Sequence, residues 1–251
     1  MKISELRNRL LYLVSVPKCI YCSEILEYGD KGLCKSCLEQ FEKELTRDCS
    51  RCAKLLNFCT CSNFFLEKQG IKKLVKIYRY SMKEEPTRGN MLIYSLKRTH
   101  RSDVIEFLGD RLCTVIRQSV DLSSNPIIAS VPRRKESIRK YGYDHAKLLA
   151  ERVAKQLGLD YTSILISESK KAQKELSKEE RFHNAKVKVK NKKIKDIKGR
   201  EVILIDDIVT TGASMAASGK ALKRLGAKKV IGATISIAYK DSYIPFQKSF
   251  L

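Results

Sequence analysis

The sequence contains no run of eighteen apolar residues, so nothing in it reads as a membrane span. Acidic residues are in short supply: 28 Asp and Glu face 50 Lys and Arg, a formal charge of +22 over 251 residues. Histidine occurs only three times. His100 and His183 fall in no cysteine-pair spacing and are left out of any metal site, and His145, tempting as a base, reads as a polar surface or capping residue of its helix. Cysteine is almost missing from most of the chain: of nine, only Cys113 lies beyond Cys61. It sits among Leu112, Val115 and Ile116, which predicts an ordinary buried thiol. No internal repeat is visible apart from the cysteine pairs. What is present excludes wholesale disorder, because a chain that is 43% hydrophobic can bury a core. The opening residues spread charges between Leu6, Leu10 and Leu13, as a short amphipathic helix does and a signal peptide does not. The expected compartment is therefore the cytoplasm, with reduced thiols.

The charge is unevenly placed. Residues 1–66 carry ten Lys/Arg and eight Asp/Glu, a net of +2, which leaves +20 for residues 67–251. Cationic surface on that scale favours phosphate-rich partners, or is a solvated face of a lysine-rich protein. The same division appears in the cysteines, and we place a boundary near 62–67: a cysteine-rich module over 1–66 and a larger domain over 67–251. In the latter, Lys72 to Tyr80 alternates like a strand, and Gly89–Arg98 and Asp103–Gln118 read as helices. Pro126 to Pro132 is a short apolar strand, followed by a basic loop from Arg133 to Tyr143 and a helix from Asp144 to Leu157 that Gly158 stops. Residues 168–185 are highly charged without apolar periodicity and suggest a mobile excursion. Lys186 to Lys190 alternates at period two. Glu201 to Ile205 is a compact apolar run, as in a strand buried on both faces, and Lys229 to Ile237 gives another strand after a helix ended by Gly226. Strands alternating with helices predict an α/β fold with a mostly parallel sheet.

The cysteine pairs are Cys19/Cys22, Cys34/Cys37, Cys49/Cys52 and the tighter Cys59/Cys61. A two-residue spacer lets both sulfurs turn inward on a knuckle and take two corners of a tetrahedron; two knuckles close a structural zinc site. A redox-active CxxC is the rival reading, but that motif normally appears once. Sequential pairing gives Cys19, Cys22, Cys34 and Cys37 to one ion and Cys49, Cys52, Cys59 and Cys61 to the other; interleaved pairing is also open. Four thiolates leave no open coordination position, so such an ion is structural, and in so small a segment it supplies much of the folding free energy.

The sharpest feature is Val202-Ile-Leu-Ile-Asp206-Asp207-Ile-Val-Thr210-Thr211-Gly212-Ala213-Ser214. Two adjacent acids at the end of a buried strand are costly unless a ligand or metal uses them. The small, hydroxylated stretch that follows opens a helix, whose backbone N–H groups and dipole favour an anion. Carboxylates for vicinal ribose hydroxyls beside amides for a 5′-phosphate would recognise a phosphorylated sugar.

At these residues the chain resembles the phosphoribosyl pyrophosphate (PRPP) motif of type I phosphoribosyltransferases. The resemblance implies that Asp206 and Asp207 meet the ribose hydroxyls, directly or through Mg2+, and that Thr210 to Ser214 hold the 5′-phosphate. The 6-oxopurine members have another Asp where this chain has Thr210, so hypoxanthine or guanine salvage is disfavoured. Ser130-Val-Pro-Arg-Arg, Arg139-Lys-Tyr-Gly-Tyr-Asp-His-Ala-Lys-Leu-Leu-Ala150, the spacing of Gln173, Leu176, Arg181 and Asn184, and the cysteine pairs together resemble the ComF family, from about Cys19 to Ile237. Tyr141-Gly-Tyr-Asp-His stands where that family has Arg-Gly-Phe-Asn-Gln, and Ala185-Lys-Val where it has Gly-Ala-Phe.

The ComF resemblance implies a type I phosphoribosyltransferase-like domain behind a double zinc ribbon, acting on single-stranded DNA in natural transformation. Arg133 and Arg134 suit pyrophosphate, since guanidinium forks match phosphate oxygens. Gln173 and Arg181 belong to the expected flap over the anomeric carbon. For nucleic acid the candidates are Arg133, Arg134, Lys135, Arg139, Lys140, Lys186, Lys188 and Lys190, with Tyr141 and Tyr143 able to stack on bases or to pack beneath a loop. The alternative is an active transferase that moves ribose 5-phosphate from Mg-PRPP to an acceptor. A competence helicase or another DNA-uptake protein is a further expected partner.

Overall fold

The computed structural model describes residues 16–45, 48–49, 51–79, 87–99, 101–168, 185–190 and 197–238. Helices α1 (Lys35–Glu44) and α2 (Phe64–Lys68) precede strand β1 (Leu74–Arg79). Helices α3 (Arg88–Arg98) and α4 (Ser102–Ser119) lead to β2 (Ile127–Ser130), and α5 (Lys135–Tyr141) and α6 (His145–Leu157) lead to β3 (Tyr161–Thr162). Strands β4 (Leu165–Ser167) and β5 (Val187–Val189) pair antiparallel as a separate ribbon. Strand β6 (Glu201–Val209), helix α7 (Ala213–Arg224) and strand β7 (Lys229–Ile237) follow. The main sheet has the order β1-β7-β6-β2-β3, with every neighbouring pair parallel.

The apolar run in β6 has the expected cause. Ile203 and Ile205 face α4 and α6, Val202 and Leu204 face α7, and all four are fully buried. Each such side chain contributes roughly 1.5–3 kcal/mol of transfer free energy, which makes this strand the spine of the domain. Asp144 caps α6 by accepting from the Lys147 N–H at 3.1 Å, and Gly158 ends it at φ +68°. Cys113 is fully buried in α4, and burial pushes its thiol up to about 11.

Two local expectations change. The stretch read as a basic loop from Arg133 to Tyr143 contains helix α5, which Gly142 closes in a left-handed C-cap at φ +83°. The acid pair does not terminate its strand: β6 continues to Val209, paired with β7, while β2 stops opposite Ile205.

The cysteine-rich segment is joined to the sheet at two places. Leu26, Leu33 and Phe41 share a hydrophobic cluster with Val104, Phe107 and Leu108 of α4. The Gly32 N–H donates to Asp103 at 3.0 Å, and Lys31 pairs with Glu106 at 3.1 Å. Further on, Cys61 bridges antiparallel to Lys73, and Leu74 N–H donates to the Thr60 carbonyl at 2.9 Å. The outer edge of β1 is thus covered rather than left as an open pairing template. This cover overturns the simple alternation of β1: Lys76, on the side expected to face water, is only 1% exposed.

Candidate functional site

The chain leaves β2 toward β3 at one edge of the sheet and returns to β6 on the other side of β2. The crevice beyond the carboxyl ends of β2 and β6 is therefore the topological switch point, where open α/β sheets bind ligands. Both sequence-predicted groups meet there: Arg133 and Arg134 follow β2, and Asp206 to Ser214 complete β6 and enter α7.

Because β2 ends opposite Ile205, Asp206 and Asp207 project past their neighbour, each half-buried. Their backbone turns on itself: Asp207 N–H donates to Asp206 Oδ1 at 2.9 Å, and Ile208 N–H to Asp207 Oδ1 at 2.7 Å. Thr234 Oγ1 on β7 donates to the Asp207 carbonyl at 3.0 Å. Burial and the neighbouring Asp207 charge push the Asp206 carboxyl well above the ordinary carboxylate range. Burial acts on Asp207 in the same direction, but Lys97, His145 and Arg133 outweigh it and hold this carboxyl below its ordinary value. The two carboxyls are pushed in opposite directions, as those of an interacting pair are.

A cleft of ≈ 40 Å³ lies over the following loop, lined by Asp206 and Ile208 through Met215. Gly212 occupies the N-cap of α7 with φ +82°. A Cβ there would stand 2.8 Å from Leu66 Cγ and 3.3 Å from Asn63 Nδ2, so both the backbone angle and the space require glycine. The first turn of α7 carries no acid, which leaves its positive end free to act on an anion.

Two contributors were not legible beforehand. Lys97, at the end of α3, places Nζ 3.6 Å from Asp207 Oδ2, and no local pattern announces a contact so remote in sequence. His145 is only 1% exposed, against the expectation of a surface or capping residue. Asp144 takes the cap, which turns His145 inward with Ala146 and Leu149. The His145 Nδ1 meets the Arg133 guanidinium, and its ring packs edge-on against Tyr143 with centroids 4.7 Å apart. Asp144 also accepts from the Arg133 N–H at 3.4 Å, so one acid ties the loop after β2 to the start of α6. Burial raises the Asp144 carboxyl despite the N–H groups of Lys147 and Arg133.

Among the nucleic-acid candidates, Lys135 and Arg139 are exposed on α5, and Arg133, Arg134 and Tyr143 are half-buried. Lys186, Lys188 and Lys190 are exposed in and beside β5, where Lys188 pairs with Glu168 and the valines turn inward. The backbone at Lys140 and Tyr141 belongs to α5, and their side chains lie outside the described residues. Gln173 and Arg181 also lie outside the described residues.

The eight cysteine sulfurs gather in the sequential arrangement. Cys19, Cys22, Cys34 and Cys37 form one group and Cys49, Cys52, Cys59 and Cys61 another, with all sulfurs of a group within 4.8 Å of one another. Cys22 and Cys34 sulfurs are 3.6 Å apart. Tetrahedral coordination at Zn–S distances of about 2.3 Å calls for sulfurs roughly 3.8 Å apart, so either group could hold a zinc ion. Burial would raise the Cys19 thiol, yet N–H groups of Cys22, Cys34 and Tyr21 bring it down to about 7. At Cys49, burial is likewise outweighed, by Arg51 N–H and Cys59, and the thiol falls to about 7. These donors favour the thiolate at Cys19 and Cys49, while burial and the neighbouring cysteines push the Cys37 and Cys61 thiols upward.

The chain is similar to several known proteins. Residues 145–248 match the phosphoribosyl transferase domain family. Competence protein F of Haemophilus influenzae is 25% identical over 85% of this chain and 93% of its own length. DNA utilization protein YhgH of Escherichia coli K12 is 24% identical over 87% of this chain and 96% of its own. A solved purine phosphoribosyltransferase of Pyrococcus horikoshii aligns over 54% of this chain and 80% of its own, at 16% identity and a TM-score of 0.36. No described helix is long and apolar enough to cross a membrane.

Proposed function

We propose that this chain, a homologue of competence protein F and YhgH with a phosphoribosyl transferase domain, binds Mg-PRPP and handles single-stranded DNA in DNA uptake at the cytoplasmic side. The observation that carries the reading is the convergence, at one switch point, of the Asp206/Asp207 pair, the Gly212 loop and Arg133. In it the acid pair addresses the ribose hydroxyls, directly or through Mg2+. Loop amides and the hydroxyls of Thr210, Thr211 and Ser214 take the 5′-phosphate, and Arg133 and Arg134 face the pyrophosphate. The exposed cations of α5 and β5 supply the sequence-independent attraction for DNA phosphates, and structural zinc fills the two cysteine groups.

The partly buried cluster of Arg133, His145 and Asp144 beside Asp207 favours a second reading, phosphoribosyl transfer to an acceptor. Calorimetric titration of Mg-PRPP and of single-stranded DNA, singly and together, tests the first reading in the wild type and in an Asp206→Asn/Asp207→Asn variant. Binding of Mg-PRPP that survives in the variant would sink the assignment. Pyrophosphate release above background with any amine or base acceptor would establish the second.

A further inference from the structure

The second cysteine group does not sit apart from the phosphate loop. Its last ligand residue, Cys61, is followed by Ser62 (1% exposed) and by Asn63, the N-cap of α2. Asn63 works in two directions. Its Oδ1 accepts from Leu66 N–H at 2.7 Å, and its Nδ2 donates to the Thr211 carbonyl of the phosphate loop at 3.4 Å. Leu66, fully buried, fills the space beside Gly212. Helix α2 is also held from the cysteine group: Arg51, between Cys49 and Cys52, donates to the Ser62 carbonyl ahead of the helix and to Glu67 within it, both at 2.6 Å.

The group is anchored to the sheet by a buried cation. Lys76 Nζ donates to the carbonyls of Cys59 at 2.9 Å and Cys61 at 3.0 Å, and to Cys59 Sγ at 3.2 Å. A buried ammonium needs an anionic neighbour, and four thiolates around zinc carry a net charge of about −2. The apolar content of the segment is too small to hold this arrangement by itself: Cys49, Leu56 and Cys59 are its only buried hydrophobic cluster among the described residues. Metal binding must then supply most of its order. The first cysteine group differs, since Cys19, Cys34 and Cys37 pack into the core on the opposite face of the sheet, with α4 and α6.

We propose that α2 is a strut through which the metal-loaded second cysteine group positions the phosphate loop. Asn63 and Leu66 are its positioning residues, and zinc occupancy and PRPP binding reinforce each other. The proposal rests on the reading of that loop as the 5′-phosphate site. If zinc order at Cys49–Cys61 favours the bound loop, linkage requires that PRPP retain zinc at the same group.

The test uses the full-length, zinc-loaded protein. Zinc release to a chromogenic chelator is followed with and without saturating Mg-PRPP, beside calorimetry of Mg-PRPP binding. We expect two release phases, one of which PRPP slows by roughly fivefold or more, the lower end of ordinary coupling between sites. A Cys19→Ser/Cys22→Ser variant keeps the PRPP-sensitive phase. In Asn63→Ala and Leu66→Ala the slowing disappears while PRPP still binds more weakly, and Leu66→Met restores it. The wild-type measurement stands even where a variant fails to fold. PRPP that binds by calorimetry yet leaves both phases unchanged overturns the strut and spares the functional reading. One zinc per chain, released without PRPP sensitivity, also overturns it. PRPP that does not bind at all removes the functional reading, and the strut with it.

Discussion

Replacing Gly212 by alanine tests the geometry of the phosphate loop most directly. The new Cβ would meet Leu66 Cγ at 2.8 Å and Leu66 Cδ2 at 3.1 Å, at a residue whose φ is +82°. Two costs follow. Left-handed backbone costs a side-chain-bearing residue about 1–2 kcal/mol. Forcing a methyl into packed space adds about 1–3 kcal/mol, so the sum is roughly 2–5 kcal/mol unless the loop moves. If the loop moves, phosphate recognition suffers instead, and the dissociation constant for Mg-PRPP rises at least about tenfold, equivalent to ~1.4 kcal/mol.

A double-mutant cycle separates the two costs. Leu66→Ala alone should cost about 2–5 kcal/mol, since the side chain is fully buried. Combined with Gly212→Ala it also removes the obstruction, so the double variant should be more stable than additivity predicts by about 1–3 kcal/mol. The backbone cost remains. Urea unfolding of the four proteins measures the coupling, and calorimetry with Mg-PRPP reports the loop. Strict additivity, or a Gly212→Ala protein with wild-type stability and wild-type PRPP affinity, would refute the packing of α2 against the loop.

Three further outcomes follow from the charges. The Asp206 carboxyl is raised in the fold, so the ligand-free fold holds its proton more tightly than the unfolded chain and loses stability as pH rises through that interval. Asp206→Asn removes that loss: at neutral pH the variant should melt a few degrees higher, by about 2–4 °C, while Mg-PRPP no longer raises its melting temperature. Lys76→Met should destabilise the zinc-loaded protein by about 3–5 kcal/mol, the cost of stranding one member of a buried charge pair. The penalty should shrink in chelator, where fewer thiolates face the cation; equal penalties in both conditions would contradict the pairing. Alanine at Arg133, Arg134, Arg139 and Lys140 should flatten the salt dependence of single-stranded DNA binding by about 0.7 for each phosphate no longer neutralised, and an unchanged slope would move the interface elsewhere.

What could be read from the sequence was what is local or periodic. The apolar run of β6, the glycine stops at Gly158 and Gly226 and the two-residue cysteine spacers each follow from one stretch of chain. Parallel pairing followed from the alternation of strands and helices, although the order β1-β7-β6-β2-β3 did not, because it depends on which edges meet. The length of β6 beyond the acid pair was hidden for the same reason: β7, not the local sequence, carries the ladder to Val209. Helix α5 was missed because charge dominates its composition, and only Gly142 marks its end. Lys97, His145 and Lys76 were misread or unseen because a charged residue looks solvated until its distant partner is known. Each is explained by an acceptor or charge on another element: Asp207, Arg133 and the Cys59–Cys61 turn.

The distribution of exposed charge decides where DNA should be sought. Residues 1–66 carry a net charge of +2, and two four-thiolate zinc ions, at about −2 each, would bring that module to roughly −2 and the chain from +22 to about +18. Lys76 would offset part of a zinc-loaded second group's charge from within, since it is buried against Cys59 and offers nothing to solvent. The cations that remain exposed include Lys135 and Arg139 on α5 and Lys186, Lys188 and Lys190 around β5. They lie on elements of the sheet domain, not on the cysteine-rich segment. A polyanion drawn by field alone would approach these exposed cations, and on the strut proposal the cysteine-rich segment would act mechanically, through α2 and the loop beside it.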